Sequence, residues 1–528
     1  MTSLPAGLES SPWAPLRRPV FAWLWIGVLI SGMGTWMQTL GAQWLLVDVP
    51  NAAAVVALVQ AANTLPIMLL AMPAGVLGDS FDRRWLLFVV QVYFLVVGVA
   101  LLALTLAGLM PPVLLLVFTF LLGVGGAVQL PAWQASTPEL VPRHQIRAAA
   151  RLEMVGINLS RAAGPAVAGL IIASAGVPTV FALNALSVLP LAVALLFWRR
   201  TPTVTAVTRE RFSPALRAGG RYVWHDTSVR RILVRLSVFI VPAAAMWALL
   251  PLVASRRLGV GAGGYGVLFA ALGVGAIVGA LVLGRVNRFL STNATLSVAG
   301  VALAAALALL VLVPNVVVAA GVLVLAGVSW TATISGLVAD LQLFLPRWVM
   351  ARGMAIWTMV FTGCQALGAL AWGVVAEQAG LTATFVAAAV LELGAVGVGL
   401  VWPVADAGET DPDPVVYWSE ARVSLDPDPA TGPVQVTVTY TIAPEKEQAW
   451  LAAMRHLRRS RLRTGATRWE LYRDADRRDR FVEQFTVSTW EEHLRQHEGR
   501  LTAADRTVEQ TALGFSDPPA TADHLIPP

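Results

Sequence analysis

The chain has 528 residues, 56% of them hydrophobic and 13% charged, with a formal charge of +6. A mean hydropathy of +0.67 excludes an ordinary soluble domain. The single cysteine, Cys364, excludes an intrachain disulfide and any CxxC metal motif, and the basic balance reads as membrane orientation rather than nucleic-acid binding, because most arginines flank apolar runs.

Residues 1–19 are polar and interrupted by proline, and Arg17 and Arg18 lead directly into a long apolar run, so the first helix is expected to be retained. Twelve apolar segments follow, near 20–47, 53–78, 85–108, 112–136, 147–174, 177–198, 230–254, 262–284, 292–314, 316–341, 352–377 and 381–403. Each suits a hydrocarbon core of about 30 Å, which takes roughly 20 helical residues. From a cytoplasmic N-terminus, Arg83, Arg84, Arg143, Arg147, Arg199, Arg200, Arg285, Arg288, Arg347 and Arg352 fall on the cytoplasmic side. The opposite connections carry few arginines apart from Arg256 and Arg257. Both termini are therefore expected in the cytoplasm.

The longest internal connection separates two six-span halves, 20–198 and 230–403, with residues 199–229 between them. The halves repeat at an offset of 204, which places Gly75 on Gly279, Gly123 on Gly327, Gly164 on Gly368, Gly169 on Gly373 and Phe181 on Phe385. Two homologous halves of this kind enclose a cavity that opens alternately to either side.

Two stretches carry a more specific signal. The connection after span two reads Gly75-Val-Leu-Gly78-Asp79-Ser80-Phe81-Asp82-Arg83-Arg84, and span five contains Asn158-Leu-Ser160-Arg161-Ala-Ala-Gly164-Pro165-Ala-Val-Ala-Gly169. The first resembles the cytoplasmic loop signature of the major facilitator superfamily, with Ser80 and Asp82 where Arg and Gly are usual. The second is similar to the antiporter signature of exporters in that superfamily. The resemblance covers about residues 15–403 and implies an all-α polytopic protein of twelve transmembrane helices. It also implies gating roles for Asp79, Arg83, Arg84, Gly164 and Pro165. A carboxylate such as Asp79 suits the positive N-terminus of a helix in the other half, and Pro165 supplies a kink. The segments 34–46, 130–142 and 158–169 look like the branch that contains the enterobactin exporter, which implies export of siderophores, drugs or other secondary metabolites.

Polar side chains at membrane depth are costly and mark cavities or proton paths. Trp36 and Gln43 share one face of span one. Asn63, Gln129, Trp133, Asn158, Arg161 and Gln365 are the other expected cavity residues, and interhelical hydrogen bonding is the competing role for each. Glu153, Asp340 and Glu392 are the carboxylates expected to serve proton coupling, whereas a Glu392 that faces a neighbouring helix would be structural. Arg161 lies about 21 Å along span five from its cytoplasmic start at 1.5 Å per residue, where an anionic cargo or a fixed partner on a neighbouring helix would each account for it.

After Trp402 the chain turns polar. Residues 404–433 contain DPDP twice and read as an extended linker. The region 434–528 then shows strands at 434–440, 467–472 and 481–485, a helix at 444–459 and another from Trp490. That order predicts a small cytoplasmic α+β domain of ferredoxin-like type, and the stretch Val487-Ser-Thr-Trp490-Glu-Glu-His493, with His497 one turn later, resembles antibiotic-biosynthesis-monooxygenase-like domains, which implies a homodimer through the sheet. His493 and His497 are spaced at i,i+4, but the sequence offers no third ligand. No catalytic residue, metal or cofactor is expected, and the tail is expected to be dispensable for the transport cycle.

The reading is a secondary transporter in a bacterial cytoplasmic membrane that exports a small molecule by alternating access, and not an enzyme. A membrane-tethered oxygenase whose product is exported, and an importer on the same scaffold, are the alternatives. The absence of a GxxxxGK[ST] stretch from the sequence argues against an ATP-driven pump.

Overall fold

The computed structural model describes residues 13–199, 212–346, 348–404 and 427–527. Helices α1 (Pro19–Leu45), α2 (Ala52–Ser80), α3 (Arg83–Leu106), α4 (Pro112–Leu140), α5 (Ile146–Ser187) and α6 (Leu189–Phe197) form the first half. After α7 (Phe212–His225), the second half contains α8 (Thr227–Leu252), α9 (Ala262–Val286), α10 (Thr292–Leu312), α11 (Val316–Phe344) and α12 (Met350–Val401). Among the described residues ten segments are long and apolar enough to cross a membrane, and two of them are exceptional, at 55 and 52 residues. Each long segment is interrupted by one glycine in a backbone conformation that L side chains rarely adopt, Gly176 (φ 79°, ψ 170°) and Gly380 (φ 81°, ψ 163°). Glycine reaches positive φ without a Cβ clash. The two breaks lie 204 residues apart, which is the sequence repeat.

Helix contacts repeat on the same scheme. A Cβ at Gly169 of α5 would lie 2.8 Å from the Cα of Gly266 in α9, and one at Gly373 of α12 would lie 2.6 Å from the Cβ of Ala57 in α2. The glycines are 204 apart and their partners 209 apart. Within the halves, Gly123 abuts the carbonyl of Asn63 and Gly327 that of Leu272, again offset by 204 and 209. Small residues let helix backbones approach where the surrounding solvent is as apolar as the side chains themselves, so packing rather than the hydrophobic effect selects these positions. The outward faces are apolar, with Val96 and Leu170 about two-thirds exposed and Leu281 70% exposed. This is a multi-pass membrane protein.

The chain separates into two compact units. The first holds Met1–Ala206, Arg235–Gly336 and Thr358–Pro403, and so most of both halves. The second gathers Val207–Val234, Leu337–Trp357 and Val404–Pro528. The described inter-half residues 212–229 and the C-terminal domain, which the sequence reads as separate regions, thus belong to one unit.

In that second unit, β1 (Val434–Thr441), α13 (Glu447–Thr464), β2 (Ala466–Arg473), β3 (Arg480–Val487), α14 (Trp490–Arg495), α15 (Ala503–Leu513) and β4 (Thr521–Leu525) build an α+β domain. Its four strands lie in the order β2-β3-β1-β4, all antiparallel, with the βαββαβ connectivity of a ferredoxin-like fold. β1 and β3 alternate between buried and half-buried positions, as a sheet covered on one face requires. Trp450, Met454, Tyr440, Phe481 and Phe485 fill its core. The fourth strand was not foreseen, because TADHL has neither the β-branched content nor the alternation of the other three.

Buried charge holds the domain to the rest of this unit. Arg463 donates to Asp226 at 2.6 Å and to Asp505 at 2.5 Å, and its guanidinium lies over the ring of Tyr222. Arg221 and Arg500 both donate to Glu492, at 2.7 and 3.2 Å, and Arg500 lies over the ring of Trp348. Asp226 also accepts from the backbone N–H groups of Ser228 and Val229 and so caps α8.

Candidate functional site

A cavity of about 240 Å³ opens between α1, α4 and α5 in the first unit, lined by Trp25, Gly32, Trp36, Gln129, Trp133, Gln134, Glu153, Gly156 and Ser160 among others. The sequence places small residues where the wall must recede. Gly156 leaves room for the indole of Trp25, whose Nε1 donates to the carbonyl of Leu152 at 3.0 Å, and Ser160 donates to the carbonyl of Leu29 at 3.1 Å. Glu153 is the cavity's carboxylate. It accepts a short hydrogen bond from Thr137 Oγ1 and another from the Trp133 side chain.

Beyond the cavity the two halves share an aromatic layer. Trp36 lies 6.2 Å from Trp247 and 5.8 Å from Phe269, centroid to centroid, and Trp247 lies 5.0 Å from Trp330, which in turn reaches Phe361 at 6.0 Å. The guanidinium of Arg161 rests over Trp36 at 5.6 Å and over Trp247 at 5.9 Å. Such stacking favours a cation where water is scarce. Arg161 Nε and the indole N–H of Trp247 are both buried without an acceptor.

The predicted cavity residues therefore divide. Trp36, Gln129 and Trp133 line the cavity, and Arg161 adjoins it through Trp36, while Asn63, Asn158 and Gln365 are not among its lining residues. Gln43 is a buried link between the halves, donating to the carbonyl of Trp247 at 3.3 Å and accepting from Tyr265 Oη at 2.6 Å. Of the three carboxylates expected to serve coupling, only Glu153 faces the cavity. Glu392 is fully buried and its carboxylate approaches Gly300 of α10, and Asp340 belongs to the second unit. Trp247, Phe269, Trp330 and Phe361 escaped the sequence reading, because an aromatic residue in an apolar span carries no mark of which way it faces.

Among the expected gating residues, the side chain of Asp79 lies outside the described residues. Arg83 donates to the carbonyl of Ala135 and to Glu139, and Arg84 to the carbonyls of Leu195 and Leu196, so these contacts brace the ends of α3, α4 and α6 within one half. Gly164 lets α1 approach, since a Cβ there would lie 2.9 Å from that of Trp36, and the carbonyl of Pro165 faces Gly266 in the other half.

In the C-terminal domain His493 packs against His497 and against His524 of the unforeseen β4, with ring centroids 5.0 and 4.9 Å away. Among the described residues no group of three or more His, Cys, Asp or Glu side chains is placed to hold a metal ion. Burial, followed by the neighbouring imidazoles and Arg461, pushes His493 down to about 2. Asp505 is held below the usual carboxylate range. Burial alone would raise it, but Arg463 and the hydroxyls of Ser460 and Thr502 more than compensate.

A repeated helical architecture around a cavity with an isolated carboxylate and guanidinium is that of a transporter, and the comparisons with known proteins agree. The family model described as transmembrane secretion effector matches residues 10–525, and the chain belongs to that family of major facilitator transporters. The staphyloferrin A transporter of Staphylococcus aureus is 24% identical over 259 residues, which is 49% of this chain and 65% of that protein. The enterobactin exporter EntS of Escherichia coli O1:K1 is 28% identical over 309 residues, 57% of this chain and 72% of the exporter. Among solved structures, a bacterial homolog of the human lysosomal transporter Spinster, inward-facing and occupied, superposes with a TM-score of 0.58 at 14% identity over 73% of this chain and 97% of that one. The nucleoside transporter NupG gives 0.55 at 11% identity, over 72% and 98%. At these identities the structures speak for the fold alone.

Proposed function

We propose that the chain is a secondary exporter of a small metabolite, a siderophore or a compound of that kind, in a bacterial cytoplasmic membrane. Twelve crossings follow if Gly176 and Gly380 mark turns, and the arginine distribution puts both termini in the cytoplasm. The halves meet where α1 ends and α2 begins, at Gln43 with Tyr265 and at Ala57 with Gly373. In that orientation they are closed on the outer side, and the cavity is the inward-facing cargo site. The observation that carries the reading is Arg161, a cation held by one tryptophan from each half. Movement of the halves cannot leave its environment unchanged. Glu153 is the residue we assign to proton coupling, and the C-terminal domain is assigned a docking role, with pairing of two copies through its sheet as the oligomeric expectation.

Metabolite profiling of cells and medium, with and without the gene, tests direction and cargo together. A compound that accumulates inside the deletion strain and is depleted from its medium supports export. Depletion of an external compound that depends on the protein overturns it in favour of uptake.

A further inference from the structure

Glu153 and Arg161 lie on one helix, eight residues apart, or about 12 Å along the axis. Glu153 lines the cavity and is held by two neutral donors, Thr137 and Trp133. Arg161 is only partly buried, and its guanidinium lies over Trp36, itself a wall of the same cavity. Among the described residues neither has an ion-pair partner, and they are too far apart along the helix to neutralise each other. An isolated charge at membrane depth is expensive unless something pairs with it. Here Glu153 lines the cavity and Arg161, of opposite sign, stacks on Trp36 of its wall, so that aromatic surface lies between the two. Arg161 Nε and the neighbouring Trp247 Nε1 are donors that await an acceptor.

We infer that the cargo is amphoteric: a planar or aromatic molecule with an ammonium group that pairs with Glu153 and an anionic oxygen that takes the Arg161 and Trp247 donors. This rests on the cavity being the cargo site and narrows the cargo by its charge. A purely anionic cargo would leave Glu153 facing it unpaired, and a purely cationic one would leave Arg161 so. The tryptophans supply stacking area for the ring system that separates the two groups.

Binding to the purified full-length chain in detergent separates this from proton coupling, since no cycle is required. The probe is a fluoroquinolone that carries a carboxylate and a piperazine amine, used with its methyl ester and its N-acetyl derivative, in isothermal titration calorimetry. Glu153→Gln should weaken the zwitterion and the ester about 10- to 100-fold, as loss of a charge-assisted hydrogen bond does, and spare the N-acetyl compound. Arg161→Gln should do the reverse, weakening the zwitterion and the N-acetyl compound and sparing the ester. Should Arg161→Gln fail to fold, Arg161→Lys carries the same arm with a smaller loss, because it keeps the charge without the planar fork. Equal weakening of both derivatives by either variant overturns the proposal, as does a wild-type chain that binds none of the three or binds all three alike. The exporter reading survives those results, because the metabolite profile judges it without reference to quinolones.

Discussion

The two units of this molecule are held together by different physics. In the first, backbone approaches backbone at Gly169, Gly373, Gly123 and Gly327, and polar links between the halves are few, with Gln43 bonded to Tyr265 among them. In the second, Arg463, Arg221 and Arg500 meet Asp226, Asp505 and Glu492 as largely buried ion pairs. The contrast follows from solvent. In lipid, burial of an apolar side chain gains little, so shape decides and separable contacts cost little to break. In water, a buried pair is strongly destabilising to break, because it leaves one charge without its partner. One region is built to part and rejoin, the other to stay assembled.

The ion pairs give the largest expected effect. Arg463→Met leaves Asp226 and Asp505 buried without their cation and should cost about 3–5 kcal/mol, read as earlier thermal unfolding of the C-terminal domain and faster proteolysis at the inter-half segment. An unchanged melting profile would mean that the pairs are ornamental and the contrast false.

The glycine contacts come next. Gly169→Leu and Gly373→Leu each force a side chain into a backbone crossing and should cost about 1–3 kcal/mol. The pseudo-symmetry requires the two losses to be similar and to fall on the corresponding contacts between the halves. Cysteine pairs placed across α2 and α12, or across α5 and α9, should lose crosslinking in the corresponding variant. Loss in only one of the two would show that the repeated geometry does not carry repeated energetics.

A third test uses pH. His493 is buried as the neutral imidazole with its folded-state pKa driven down to about 2, below the unfolded reference near 6.5. The unfolded state therefore binds the extra proton across that window. Domain stability should be unaffected by this group above about pH 6.5 and should fall as the pH drops below it, by up to about 1.4 kcal/mol per unit. His493→Gln should flatten that slope in urea titrations at pH 7 and pH 5, and an unchanged slope would assign the acid sensitivity elsewhere.

The smallest effect is expected at Glu392. Its carboxylate approaches Gly300, away from the cavity, so Glu392→Gln should leave vesicle transport and its pH dependence within about twofold of wild type, a shift of less than 0.5 kcal/mol. A larger loss would return this residue to the coupling path.

Much of the membrane architecture was legible because its rules are one-dimensional. Span length and the 204-residue offset are properties of the string, and the positive-φ pair Gly176 and Gly380 falls on that offset without having been used to define it. The site was legible only in part. Trp36, Gln129, Trp133, Glu153 and Arg161 stand out as polar or aromatic groups in apolar runs, but Gln43 and Glu392 stand out equally and face other helices. Rotation about a helix axis decides between these outcomes, and a weakly amphipathic span does not reveal it. The ion pairing of the tail with the inter-half segment was not legible for a different reason. The linker composition argues for separation, whereas Asp226 and Arg463, 237 residues apart, carry no shared signal in the sequence.

That same pairing bears on how the protein is made. At about 5–20 residues per second, Arg463 leaves the ribosome roughly 12 to 47 seconds after Asp226, and for that interval the carboxylate that caps α8 lacks its cation. The second half must therefore insert with this junction unfinished. A chain released early, or one clipped within the linker, would present an acidic helix cap and the indole of Trp348 without their partners from the C-terminal domain.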